Sequence, residues 1–211
     1  MLPPLTYRPD IDGLRALAVI AVLFFHAFPK AFPGGFVGVD IFFVISGYLI
    51  SSILYAKLEE NKFNLLAFYV RRIRRIFPAL LVVLVSGYLF GWFYLFIDEF
   101  SLLGTHIFAS AAFIQNWVLA SESGYFDSSA ELKPYLHLWS LGIEEQFYIV
   151  WPIFLWLAWQ LRINLLTATF GLGLASFACN IYSIYFLQST IAFYMPQVRF
   201  WELLFGSGLA T

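Results

Sequence analysis

Arg15 and His26 stand eleven positions apart in an apolar run that opens at Leu14 and closes at Phe28. On a helix, eleven steps bring the second side chain to within about 20° of the first, about 16 Å farther along the axis. An ionisable side chain inside a membrane span is costly and marks a candidate functional position. A histidine can take a proton from a hydroxyl at neutral pH, which makes it a candidate general base. The alternative is a packing histidine bonded to a neighbouring carbonyl.

A second constellation is Arg71-Arg72-Ile73-Arg74-Arg75. Arg71 with Arg74, and Arg72 with Arg75, are i, i+3 pairs that share a helix face. Guanidinium forks suit phosphate oxygens bidentately, so a polyphosphorylated donor such as acyl-CoA fits this chemistry. The competing explanation is a topology signal held at acidic lipid headgroups. A third is His137-Leu138-Trp139-Ser140-Leu141-Gly142-Ile143-Glu144-Glu145-Gln146-Phe147-Tyr148. Adjacent carboxylates point about 100° apart on a helix and so take different partners, one a histidine or arginine, the other water. Glu144 and Tyr148 share a face, and His137 aligns with Glu144 if the helix reaches that far. Here the alternative is a helix start with Ser140 as N-cap and the glutamates favoured by the dipole.

Smaller signals accompany these. Gly34, Gly35, Gly38, Ser46 and Gly47 permit close helix approach. Asp40 could pair with a basic side chain, and Arg199 with Glu202 at i, i+3. No P-loop, zinc-ligand spacing, nucleophile elbow or dinucleotide fingerprint occurs, so no metal is expected. Cys179 is the sole cysteine, which rules out an internal disulfide and suits a packing role.

The elements that carry these residues belong to a membrane. Of 211 residues 61% are hydrophobic and 12% charged, against about 25% charged in a soluble domain. Aromatics reach 21%, as side chains with one apolar and one wet end do at membrane interfaces. The net charge of -1 gives no sign of a nucleic-acid partner. Spans of about 20 residues are predicted at Leu14–Phe28, Phe36–Ala56, Phe77–Ile97 (with Pro78 in a first turn), Leu138–Leu161 and Ile163–Leu187. The stretch Arg199–Thr211 reads as a further span cut short. Leu14–Phe28 has no small-residue cleavage site after it and is expected to be retained. Leu102–Ala120 has span length but holds His106, Gln115 and Asn116; it is expected to be re-entrant, with the loop Ser121–Leu136 outside. The expected fold is an all-α polytopic integral membrane protein, a transmembrane bundle truncated at its C-terminus, with one membrane-embedded domain over residues 1–211.

Tyr7-Arg8-Pro9-Asp10-Ile11-Asp12-Gly13-Leu14-Arg15-Ala16 followed by His26 resembles the opening of the acyltransferase-3 family of membrane O-acetyltransferases. Gly34 through Tyr48, Arg71 through Pro78, His137 through Tyr148, and Arg199-Phe200-Trp201-Glu202-Leu203-Leu204-Phe205-Gly206 resemble further family blocks in the same order. The resemblance implies a bacterial inner-membrane enzyme that moves an acyl group, as acetyl from cytoplasmic acetyl-CoA, to a hydroxyl of a surface carbohydrate such as O-antigen, exopolysaccharide or peptidoglycan. It implies that Arg15 and His26 are essential and that the arginine cluster binds the donor. It also implies about ten spans, roughly twice what this chain supplies. The combined expectation is His26 as base, Arg15 as an aid to donor placement, Glu144, Glu145 and His137 as further catalytic candidates, and Arg71, Arg72, Arg74 and Arg75 on the donor phosphates. A rival of another class is a carrier or flippase using Arg15, His26, Asp40 and Glu144 as a substrate or proton path.

Lys57, Lys62 and the four arginines make 57–75 the densest basic stretch, which predicts a cytoplasmic location for it and for the N-terminus. Single cysteines placed between Lys57 and Arg75, in a Cys179→Ser background, should resist a membrane-impermeant thiol reagent on intact spheroplasts and react after lysis. Ready labelling of intact spheroplasts would reverse the topology.

Overall fold

A computed structural model describes residues 8–122, 133–186 and 189–210. Among these residues the regular elements are all helical: α1 Pro9–Ala27, α2 Gly38–Glu59, α3 Leu65–Tyr94, α4 Ile97–Ala111, α5 Gln115–Glu122, α6 Leu138–Gln160, α7 Leu165–Phe186, α8 Ser189–Tyr194 and α9 Phe200–Gly208, with 3-10 turns at Gly35–Val37 and Pro196–Val198. The stretches Gly35–Glu59, Leu65–Tyr94 and Leu165–Phe186 are long and apolar enough to cross a membrane. The chain forms two compact units, one of Met1–Phe63, Val150–Tyr182 and Gln197–Thr211, the other of Asn64–Ile149 and Ser183–Pro196.

In the first unit α2 and α9 meet at glycines. A Cβ on Gly47 would overlap the Leu203 carbonyl, and one on Gly206 would overlap the Val44 carbonyl. In lipid, where apolar side chains gain little by leaving their surroundings, such close backbone approach drives helix association through dispersion contacts. A polar chain runs beside the crossing: Trp151 Nε1 donates to Ser51 Oγ at 2.8 Å, Ser51 to Ser207 Oγ at 2.7 Å, and Ser207 to the Leu203 carbonyl at 2.9 Å. Around it Phe43, Leu54, Leu155 and Leu203 are fully buried. Helix α1 joins through Gly35, against the Ala21 carbonyl, and Gly38, against the Ala18 carbonyl. These two matches run in opposite directions along the chain, so α1 and α2 are antiparallel. Gly34 has nothing near it, so the close-approach expectation does not extend to that glycine.

In the second unit α3 begins at Leu65, twelve residues before the predicted start of its span, because Asn64 Oδ1 accepts from Ala67 N and caps it. Three corrections follow. The arginine cluster belongs to the same helix as the span rather than preceding it; Pro78 lies inside the helix rather than in its first turn; and the span ends at Tyr94, a new helix opening at Ile97 where Glu99 accepts from Phe96 N at 3.1 Å. At 30 residues α3 is about 45 Å long, well beyond a hydrocarbon core of about 30 Å. Its basic N-terminal turns therefore have length enough to stand at the headgroups.

The segment Leu102–Ala120 is two helices. The chain breaks between α4 and α5 with Phe113 at φ 57, and neither the 15-residue nor the 8-residue piece has the length a crossing needs. A break in an apolar layer exposes backbone carbonyls, and a side-chain amide of α6 serves one of them. Gln146 Nε2 donates to the Phe113 carbonyl at 2.6 Å and to Asn116 Oδ1 at 2.8 Å. Asn116 Nδ2 donates to the Tyr194 carbonyl at 3.0 Å, and Gln115 Nε2 bonds His106 Nδ1 at 2.8 Å. Most of the predicted loop Ser121–Leu136, along with Leu187 and Thr211, lies outside the described residues.

Gly206→Ala should destabilise the first unit by about 1–3 kcal/mol through overpacking, read as a lower thermal midpoint in detergent. Gly171→Ala, in the interior of α7 with nothing within 4 Å of the added carbon, should be neutral or stabilising by up to about 1 kcal/mol. Equal effects of the two would show that the α2–α9 contact does not hold the unit together.

Candidate functional site

Two polar constellations stand out, one in each unit. In the first, α1 presents its buried stripe, including Ile11 and Ala18, to α2, and Arg15 lies on that stripe. The Arg15 guanidinium carbon is 5.2 Å from the Phe42 ring centroid, Asp12 Oδ1 is 4.0 Å away, and the Arg15 Nε–H is buried without an acceptor. Just before the apolar run, a hydrogen bond from Arg8 holds the Asp10 carboxyl down to a pKa of about 2. His26 lies in the last turn of α1, one residue before its end, and is exposed. It therefore stands at the helix terminus. Its Nδ1 is 2.8 Å from the Val22 carbonyl. A carbonyl only accepts, so Nδ1 carries the proton and the basic lone pair is on Nε2. The orientation expected from a carboxylate is thus supplied by the backbone one turn earlier.

Asp40 finds the basic partner anticipated for it. Arg199 Nη2 pairs with Asp40, Arg199 Nη1 lies 2.9 Å from Glu202 Oε1, and the guanidinium carbon is 5.7 Å from the Phe43 ring centroid. Glu202 is 1% exposed, and its contact with Arg199 is a close ion pair rather than an aligned hydrogen bond. One cation thus serves two carboxylates.

The second constellation joins α3 to the start of α6. Arg72 Nη2 donates to Glu145 Oε1 at 2.9 Å, and its guanidinium carbon sits 3.8 Å from the centroid of the Tyr148 ring. The Tyr148 hydroxyl donates to Glu144, one turn back on α6. Tyr69, one turn before Arg72, donates to the Ile149 carbonyl at 2.7 Å and pins the two helices at the same level. The neighbouring glutamates therefore do take different partners. Arg71, Arg74 and Arg75 are exposed, whereas Arg72 is mostly covered. His137 is exposed and sits in a turn one residue before α6 begins. Ser140 is inside the helix and donates to the His137 carbonyl at 3.3 Å, so it does not act as N-cap. Sequence reasoning missed the rings under the arginines. Phe42, Phe43 and Tyr148 read as ordinary apolar or interfacial residues, and only their nearness to Asp40 or to the glutamates hinted otherwise.

Helices of membrane length and charge clusters resolved into ion pairs define a helical multi-pass membrane protein. The family model described as an acyltransferase domain matches residues 8–211, and the chain belongs to that family. Among its curated relatives, the peptidoglycan O-acetyltransferase OatA of Listeria monocytogenes is 42% identical over 97% of this chain and 34% of its own length. The putative peptidoglycan O-acetyltransferase YrhL of Bacillus subtilis is 45% identical over 71% of this chain and 24% of its own. An uncharacterized protein of Haemophilus influenzae is 40% identical over 81% of this chain and 73% of its own. The chain thus spans about a third of the Listeria relative's length and about a quarter of the Bacillus relative's. No solved structure matches.

Arg199→Met should leave Asp40 and Glu202 facing each other with no cation, at a cost of about 3–5 kcal/mol, read as poor accumulation and a lowered thermal midpoint in detergent. Adding Asp40→Asn and Glu202→Gln should restore most of the loss. A single variant as stable as the parent would show that the two carboxylates are not held as charges by Arg199.

Proposed function

We propose that the protein is a membrane O-acyltransferase that moves an acetyl group from cytoplasmic acetyl-CoA to a hydroxyl of a cell-wall carbohydrate. The observation that carries this reading is the anchoring of His26 Nδ1 on the Val22 carbonyl, 2.8 Å away, which leaves Nε2 as the basic nitrogen. Family membership supports acyl transfer, and the names of the Listeria and Bacillus relatives point to peptidoglycan as the acceptor. In the proposed reaction Nε2 takes the proton of the acceptor hydroxyl as its oxygen attacks the thioester carbonyl. The carbon–sulfur bond then breaks, and the imidazolium returns the proton to the departing thiolate. Donor phosphates are proposed to lie on Arg71, Arg74 and Arg75, which are exposed on α3, with the uncovered edge of Arg72 beside them. Arg15, whose Nε–H is buried without an acceptor, is proposed to help place the donor. Glu144 and Glu145 act here through Tyr148 and Arg72, and His137 is assigned no step. The proposed setting is the bacterial inner membrane with the N-terminus cytoplasmic.

His26→Ala and His26→Gln should each lower acetyl transfer by about 100-fold or more, the scale of general-base catalysis, while protein level and acetyl-CoA binding stay near the parent values. Glutamine keeps a hydrogen bond without basicity. An active His26→Gln protein would show that His26 only positions or packs, and the base would have to be sought elsewhere.

A further inference from the structure

Four side chains of α3 and α6 are linked in a row: Glu145, Arg72, Tyr148 and Glu144. The Arg72 guanidinium meets a carboxylate along one edge, at 2.9 Å. It lies on an aromatic face at 3.8 Å, well inside the range of about 6 Å in which a cation gains from a ring. Its Nε is buried with no hydrogen-bond partner, so the group is held by Glu145 and by the ring and not by a full set of hydrogen bonds. The ring itself is only 4% exposed and its hydroxyl donates to Glu144. A phenol that donates to a carboxylate has more electron density in its ring, so Glu144 strengthens the hold of Tyr148 on Arg72 without touching it.

This arrangement fixes the plane of Arg72 before any donor arrives. An arginine loses much side-chain entropy when it is immobilised, and one already stacked and paired has lost it beforehand. Arg75 stands one helical turn on. With Arg72 fixed by α6, the register of that turn of α3 is fixed too. Charge follows the same division. Arg72 and Glu145 cancel, which leaves the exposed Arg71, Arg74 and Arg75 to supply the positive field that a polyphosphate meets.

We propose that Tyr148, backed by Glu144, is a positioning residue of the donor site: it holds Arg72 flat against α6 so that this face of the arginine cluster is set for the phosphates of acyl-CoA. The inference rests on the donor-site reading given above. It assigns Tyr148 no chemistry of its own and predicts that its loss is felt in donor affinity and not in the chemical step.

The test is steady-state acetyl transfer by the whole protein in membranes, with acetyl-CoA varied. Tyr148→Leu should raise the acetyl-CoA KM about tenfold, with kcat within about twofold of the parent, as removal of a desolvated cation–ring contact and its backing implies. Tyr148→Phe and Glu144→Gln, which keep the ring but lose the charged hydrogen bond, should each raise KM about threefold. In an Arg72→Gln background Tyr148→Leu should add less than twofold, because a residue that acts through another has no effect once the other is gone. An unchanged KM in Tyr148→Leu overturns the proposal, and so does an effect undiminished in the Arg72→Gln background. If Tyr148→Leu fails to accumulate, the two milder variants decide, and an unchanged KM in both overturns it. The donor-site reading fails separately: its mark is a parent-like KM in Arg72→Gln and Arg75→Gln, whereas elevated KM in these with none in the Tyr148 variants sinks the positioning role alone.

Discussion

An arginine covered by neighbouring helices has to keep a counter-charge and a surface to lie on, because water supplies neither there. Each unit meets this demand in the same way. In one, Arg199 has Asp40, Glu202 and the ring of Phe43; in the other, Arg72 has Glu145 and the ring of Tyr148. Arg15 repeats the pattern more loosely, with Asp12 at 4.0 Å and Phe42 beneath it. A carboxylate offers the guanidinium edge its hydrogen-bond acceptors, and a ring offers its face an attractive quadrupole. Arg15 and Arg72 each face one carboxylate, whereas Arg199 faces two. These pairings also determine where helices meet, since Arg72 joins α6 to α3 as Arg199 joins α9 to α2.

The second demand is that of the backbone. Where a helix is continuous its own ladder meets it, and α3 shows how far one can run, about 45 Å with a proline inside. Where the chain breaks, at Ala112–Ile114, side-chain amides take over from the ladder. Gln146 reaches the Phe113 carbonyl and Asn116 reaches the Tyr194 carbonyl. Gly142 makes room, since a Cβ there would come within 3.0 Å of Asn116 Oδ1. Asn116 helps to hold the Gln146 amide in place, since its Oδ1 accepts from Gln146 Nε2 at 2.8 Å.

Helix content was legible in the sequence because apolar runs of membrane length leave few alternatives. Leu138–Leu161 was predicted and Leu138–Gln160 is found; the ends of α3 were missed by more than ten residues on one side. The reason is physical. The basic turn before Phe77 is too polar to count as hydrocarbon-spanning, yet Asn64 caps it into the same helix. Pair relations within a helix were also legible, such as Glu144 with Tyr148 and Arg199 with Glu202, since they depend only on 3.6 residues per turn. Pairings across helices were not: nothing local in Arg72 names Glu145, 73 residues away. The end of α1 was legible too, since the apolar run closes at Phe28 and the helix ends at Ala27.

The position of His26 constrains the shape of any donor that uses both ends of α1. Gly35 against Ala21, Gly38 against Ala18 and Phe42 against Arg15 fix one antiparallel register. In that register Asp40 falls near Ala16, and His26 lies ten residues farther along, about 15 Å. Arg15 and His26 are about 16 Å apart on the same helix. A compact molecule cannot touch both. On the proposed reading, a donor that Arg15 helps to place meets the His26 base only if its reactive carbonyl sits at the end of a long, narrow arm. A thioester carried on an extended chain away from the phosphates meets that requirement, as acyl-CoA does, whereas a small acyl phosphate does not.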